Sequence, residues 1–225
     1  MHAHQPAELI WEAGDVPASA RHSDTYFSRE DGLAEAHHVF LAGNDLPARF
    51  RPGFHIAELG TGTGLNLLAA LALWRETGQA GVLRYTGFEA APLPEAAIRR
   101  ALAPFPAVAA LAPPLIGVLS GRAPRAVVAE LDLRLVIGDA RRTLPGWDGR
   151  ADAWFLDGFA PARNPELWEP ALLAAVARHS APGATAASYT AAGHVRRALA
   201  AAGFTVRRRP GFGRKRHMTA ARLPA

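Results

Sequence analysis

Four carboxylates and three glycines stand where strands should end, and together they outline a nucleoside site. In "AELGTGTGLN", residues 57–66, Glu58 precedes Gly60, Gly62 and Gly64, spaced two apart. Glycines there let backbone approach a ligand closely at positive φ, and the helix that follows offers free N–H groups. No Lys-Ser/Thr follows the glycines, which excludes a P-loop. The G-x-G-x-G spacing also differs from the G-x-G-x-x-G of a pyrophosphate cradle. Glu89 ends the next strand, where a carboxylate can accept both hydroxyls of a ribose. Asp139 ends the third and can accept an exocyclic amine. No arginine is placed to clamp a phosphate. An acidic pocket of this kind suits S-adenosylmethionine, with its sulfonium and ammonium, better than an anionic dinucleotide.

The fourth carboxylate opens the chemistry. In "WFLDGFAPARNPELW", residues 154–168, Asp157 ends an apolar run, and Gly158 and Pro161 shape a rigid turn that exposes Phe159. The layout is similar to the Asp-Pro-Pro-aromatic loop of amino-group methyltransferases, with a different residue order. In methyl transfer to an amine, positive charge leaves sulfur and appears on nitrogen, so a fixed carboxylate beside the nitrogen stabilises the transition state. Asp157 is expected to orient and stabilise, and to accept a proton if burial raises its pKa.

These residues need a scaffold of alternating strands and helices. "FHIAELG", "LRYTGFEA", "LDLRLVIGDA", "ADAWFLDGF" and "GATAASYT" read as five buried strands, and "FTVRRRP" and "HMTAARL" as a closing pair. Helices are expected over "GLNLLAALALWRETG", "LPEAAIRRALAPF" and "AGHVRRALAAAG", the last stopped by Gly203. The alternation predicts an α/β fold with a mostly parallel sheet covered on both faces. Residues 1–50 read as an irregular cap with a short helix from Gly32 to Leu41, residues 51–225 as the core, and residues 104–130 as a surface insertion.

Composition narrows the class. The 225 residues are 49% hydrophobic and 20% charged, as in a soluble globular protein. No run approaches the ~20 apolar residues of a transmembrane helix, and the N-terminus lacks a secretory pattern. The absence of cysteine excludes disulfides and thiolate metal sites, and a cytoplasmic protein is expected. No H-E-x-x-H spacing occurs, and His37 and His38 are adjacent and cannot share a helix face, so no metal site is expected. The net charge is +5, and after Glu169 the chain has ten Arg or Lys and no acid. Arg207, Arg208, Arg209, Arg214, Lys215 and Arg216 form the densest basic cluster, which points to nucleic acid.

Several of these stretches, with "DTYFSREDGLAEAHHVFLAGNDLPARF", "FEAAPL", "SYTAAGHVRRALAAAGF" and "PGFGRKRHM", resemble the methyltransferase domain of the MnmC family, which acts on the tRNA wobble uridine. The resemblance covers nearly the whole chain, least at 104–130. It implies a class I S-adenosylmethionine-dependent methyltransferase fold, Rossmann-like, with a mostly parallel seven-stranded sheet and an antiparallel closing strand. It implies methylation of the amine of 5-aminomethyl-(2-thio)uridine in the tRNA anticodon loop. The cofactor set becomes Glu58, Gly60, Gly62, Gly64 and Asn66 of the glycine motif, with Glu89, Asp139 and Tyr26 of "TYFS". Asp157 becomes the essential cleft aspartate, and Tyr189 lines the substrate side. Thr61 stands where the family often has an aromatic. Bifunctional members continue into a flavin-dependent oxidase domain; none is expected here. Phe159 and Phe212 are candidates to stack on a splayed base, and Arg214, Lys215 and Arg216 to hold phosphates. Two other readings stay open: a non-catalytic nucleic-acid-binding module on this fold, and a methyltransferase for another amine.

Overall fold

The computed structural model describes residues 7–225. A small antiparallel sheet comes first, made of β1 (Leu9–Glu12), β2 (Val16–Ser19) and β3 (Asp24–Thr25). Gly14 and Asp15, both at positive φ, turn β1 into β2. The segment expected to be irregular is therefore partly sheet. Asp31 caps α1 (Gly32–Glu35) by accepting the Ala34 N–H at 2.9 Å. The helix then widens into a π-helical turn over Ala36–Leu41, whose Val39, Phe40 and Leu41 are buried.

The remaining elements alternate. β4 (His55–Leu59), α2 (Leu65–Glu76), β5 (Leu83–Glu89) and α3 (Glu95–Leu102) are followed by two short helices, α4 (Pro106–Ala109) and α5 (Ile116–Leu119). Then come β6 (Arg125–Val128), β7 (Leu131–Ile137), α6 (Ala140–Thr143), β8 (Ala151–Leu156) and α7 (Pro170–Arg178). β9 (Ser180–Ser188), α8 (Gly193–Ala201), β10 (Thr205–Pro210) and β11 (His217–Arg222) complete the chain.

The central sheet has eight strands in the order β10-β11-β9-β8-β4-β5-β7-β6, one more than expected. β9, β8, β4, β5 and β7 run parallel. β11 and β10 close one side as an antiparallel pair, and β6 adds an antiparallel edge on the other. That edge strand lies in the stretch expected to be a surface insertion. The same stretch buries Val108, Leu115, Ile116, Val118 and Leu119. Pro106 is the reason it reads as a break and folds as a helix: at the first helical position proline has no N–H to lose.

Both sheet faces are covered, and residue alternation decides which side chain goes where. Ile56, Tyr85 and Phe155 face the helices α2 to α5 in one apolar cluster. Ala57, Phe88, Trp154 and Leu156 face α7 and α8 in another. The chain moves outward from β4 through β5 to β7, then returns to β8 on β4's other side. The carboxyl ends of β4 and β8 therefore flank the crevice where an open α/β sheet binds its ligand.

Candidate active site

A cavity of about 1250 Å³ opens at that crevice. Its floor is the turn between β4 and α2. Gly60 has φ 80° and Gly62 φ 51°, values that L-residues with a Cβ rarely adopt. A Cβ on Gly60 would overlap the carbonyl oxygen of Asp157, and one on Gly62 would press on the Tyr26 ring at 3.0 Å. Gly60 is thus the residue that lets the end of β4 and the end of β8 lie against each other. Gly64 caps α2 beside Leu119 and does not line the cavity.

Glu89, at the end of β5, lines the cavity and fixes the turn. One of its oxygens accepts the Gly62 N–H and the other the Ala91 N–H, both at 2.9 Å. Each oxygen keeps a second acceptor site. Tyr26 lies over this corner, and burial, then the charge of Glu89, pushes its hydroxyl pKa up. Asp139 takes a different place. Its neighbours Gly138 and Ala140 line the cavity, while its own carboxylate caps α6 and pairs with Arg141 at 2.7 Å.

Glu58 lies below the floor with 0% exposure. It accepts hydrogen bonds from Asn66 Nδ2 at 2.8 Å and the Tyr85 hydroxyl at 2.7 Å. Burial raises its pKa well above the carboxylate range, and the charge of Asp157 adds to this. Asn66 Nδ2 also donates to Asp157 Oδ2 at 2.7 Å. Asp157 opens onto the cavity. Its carboxyl is pushed up to about 7, first by desolvation and then by the charge of Glu35, while Asn66 and Lys215 draw it back.

The wall opposite the glycine turn comes from distant parts of the chain. Glu35, on α1, is 7% exposed and pairs with Lys215 Nζ at 2.7 Å. Lys215 also lies 4.0 Å above the Tyr189 ring. The Tyr189 hydroxyl donates to the Gly158 carbonyl at 2.6 Å, and burial raises its pKa. Asp24 accepts the Ala160 N–H at 2.8 Å, tying β3 to the loop after β8. Phe159 stacks on His22 at 4.8 Å and meets Tyr26 edge-on at 5.1 Å. Phe212 and Arg214 lie on the rim. Arg216 is exposed and outside the cavity lining. Sequence reasoning passed over Glu35, Asp24 and His22. Only the 180-residue reach from Glu35 to Lys215, invisible to local patterns, marks the first of them.

The donor set fits S-adenosylmethionine. Closely packed glycines make room for a ligand backbone, Glu89 offers acceptors for a diol, and the six carboxylates that line the cavity, Asp24, Glu35 and Asp157 among them, outnumber its four cations, Arg21, Arg29, Arg214 and Lys215. Such a balance favours a sulfonium and an ammonium over phosphates. Among the described residues no cluster of three metal-ligating side chains occurs, and no helix is long and apolar enough to cross a membrane.

A family of S-adenosyl-L-methionine-dependent methyltransferases matches residues 118–224. The chain is 48% identical over 227 residues to the tRNA 5-methylaminomethyl-2-thiouridine biosynthesis bifunctional protein MnmC of Caulobacter vibrioides, covering 97% of this chain and 38% of that protein. The protein of the same name from Stutzerimonas stutzeri is 47% identical over 232 residues, covering 98% of this chain and 35% of that one. The chain therefore spans little more than a third of these relatives. The crystal structure of MnmC2 from Aquifex aeolicus superposes with a TM-score of 0.77 at 25% identity, covering 100% of this chain and 74% of that one. This chain belongs to the MnmC methyltransferase-domain family, S-adenosyl-L-methionine-dependent methyltransferases of the class I α/β fold.

Proposed function

We propose that this chain methylates the amine of 5-aminomethyl-(2-thio)uridine at the wobble position of tRNA, giving 5-methylaminomethyl-(2-thio)uridine. The observation that carries the reading is Asp157. Its raised carboxyl lies between the glycine turn and a wall of Phe159, Tyr189 and Lys215. The names of the MnmC relatives supply the substrate. In this reading the first fifty residues, of which 1–6 lie outside the described residues, cap a core of residues 51–225, since Asp24, Tyr26 and Glu35 reach the cavity from residues 7–50. A tRNA substrate agrees with a cytoplasmic location.

Bound S-adenosylmethionine supplies an electrophilic methyl group on a cationic sulfur. Glu89 and the Gly60–Gly62 turn would hold its ribose and methionine parts, and Tyr26 would close over it. Asp157 holds the substrate nitrogen and carries the proton that the amine must lose. An alkylammonium has a pKa near ~10.4, so a carboxylate near 7 is a far better acceptor than an ordinary aspartate while about half of it is still ionised at neutral pH. Phe159 and Phe212 offer faces for the flipped base, and Arg214 and Arg216 approach the phosphates.

Asp157→Ala is expected to lower methyl incorporation into unmethylated tRNA by ~10³-fold, the scale of a lost acid–base group. Its affinity for S-adenosylmethionine, read by calorimetry, stays near that of the unsubstituted chain. Normal turnover in this variant ends the reading.

A further inference from the structure

Glu58 and Asn66 belong to the glycine motif, yet their side chains meet the carboxyl end of β8. Glu58 is enclosed on every side and does not line the cavity. Its two oxygens are taken by Tyr85 and Asn66 at 2.7 and 2.8 Å. The Asn66 amide then reaches Asp157 Oδ2 at 2.7 Å from the same nitrogen. An amide nitrogen has two hydrogens. With one on each carboxyl group, the Asn66 side chain cannot rotate without breaking one of the bonds. We propose that Tyr85, Glu58 and Asn66 form a buried chain of positioning residues that aims the Asp157 carboxylate, so that Glu58 serves the reacting edge through Asn66.

Packing supports this direction of influence. Tyr85 and Glu58 lie on paired strands, β5 and β4, and are fully buried. Asn66 is fixed in the first turn of α2. Asp157 follows β8 and has freedom only toward the cavity. Its other charged or ionisable neighbours are Glu35 of α1, Asp24 of β3, Lys215 of the β10–β11 loop and Tyr189 after β9. All of these reach it from the cavity side. The buried chain is its support from below, and a hydrogen bond to its ionised form favours that form.

This inference gives Asp157 the role argued above, and its test is independent of tRNA. The Asp157 carboxyl is titrated by ¹³C NMR in the whole chain, with its signal assigned by its loss in Asp157→Asn. Asn66→Ala is expected to raise the midpoint by about one pH unit, the scale of a lost charge-assisted hydrogen bond. Glu58→Ala and Glu58→Gln both remove a like charge from beside Asp157, and the midpoint in Glu58→Ala lies above that in Glu58→Gln, which keeps an acceptor for Asn66. Should Glu58→Ala not fold, Tyr85→Phe reads the same chain through a smaller rise. An unmoved midpoint in Asn66→Ala overturns the proposal. So does a folded Glu58→Ala with the same midpoint as Glu58→Gln, or an unmoved midpoint in Tyr85→Phe where that variant is used instead. In turnover, Asn66→Ala lowers kcat about tenfold with KM for tRNA unchanged, on the scale of one misaligned hydrogen bond. If the unsubstituted chain methylates no tRNA, the functional reading fails while the titration still decides the inference.

Discussion

The two ends of the parallel strands both bury charge, and they do so in opposite ways. At the amino ends, Asp152 is 9% exposed and fully partnered: one oxygen takes Arg51 at 2.7 Å, the other the His55 N–H at 2.8 Å. Arg49 spreads its guanidinium over four neutral oxygens, of Asn44, Thr185, Asp152 and Gly183. His55 donates from Nδ1 to Arg150 and accepts the Thr86 hydroxyl at Nε2. At the carboxyl ends, Glu58 and Asp157 share one amide nitrogen, with no cation in contact with either. A satisfied network holds a fold together. An undercompensated pair of carboxylates stores charge that a cationic ligand can relieve, which is where functional groups concentrate.

Removing one acid from each end should separate these two kinds of burial most strongly. Asp152→Ala leaves the buried His55 N–H without its acceptor and removes an ion pair to the exposed Arg51, and is expected to cost ~2 kcal/mol, mostly for the unsatisfied N–H. Asp157→Ala removes a desolvated carboxylate and is expected to leave stability unchanged or raise it at pH 8, although it lowers turnover ~10³-fold. Urea denaturation midpoints of the two variants measure this. Equal losses would mean that the carboxyl end is held by the same kind of network as the amino end.

Acid should act on the two ends with opposite sign. His55 is held neutral, its pKa lowered to about 4 by burial first and the charge of Arg84 second. Unfolded histidine titrates near ~6.5. The stabilising effect of a neutral His55 is therefore complete above 6.5 and lost as pH falls toward 4, by about 3 kcal/mol in all. Asp157 behaves the other way. Its folded pKa, about 7, exceeds that of an unfolded aspartate, so its contribution is complete below the unfolded value and lost as pH rises through 7. Thermal melts between pH 4 and 8 read both. His55→Gln flattens the acid-side loss, and Asp157→Asn flattens the loss on the alkaline side. Parallel curves in the two variants would erase the contrast.

The sequence makes one of these ends far more legible than the other. The strand–glycine turn–helix from His55 to Glu76 is written in adjacent residues, and so is the apolar run that ends at Asp157. The amino-end network joins Arg49 to Thr185 across 136 positions and His55 to Arg150 across 95, and no local period records such contacts. Glu35 is a single acid on a four-residue helix, unremarkable until the β10–β11 loop brings Lys215 to it. The edge strand β6 is four residues after Pro124, too short to carry an alternation, and it exists because β7 offers a free edge. α7 opens on Pro170, a residue that marks a helix start only if the start is already known.

The smallest expected effect lies outside both ends, on the basic face, where contact partners divide the arginines. Arg209 and Arg222 both pair with Asp45, at 3.2 and 2.7 Å. Arg214, with a side chain 98% exposed, has only Glu30 at 3.5 Å, and Arg216 is exposed beyond the rim. The paired arginines place their charge within the fold, and under the proposed function the exposed ones are the candidates to meet phosphate. Arg214→Glu with Arg216→Glu should weaken tRNA binding and lower the salt slope by about two, one for each lost phosphate contact. The paired change Arg209→Gln and Arg222→Gln should move that slope little while loosening the β10–β11 hairpin. Filter binding across 50–200 mM salt distinguishes them. A slope that falls equally in both pairs would mean that the basic tail acts as one undivided surface.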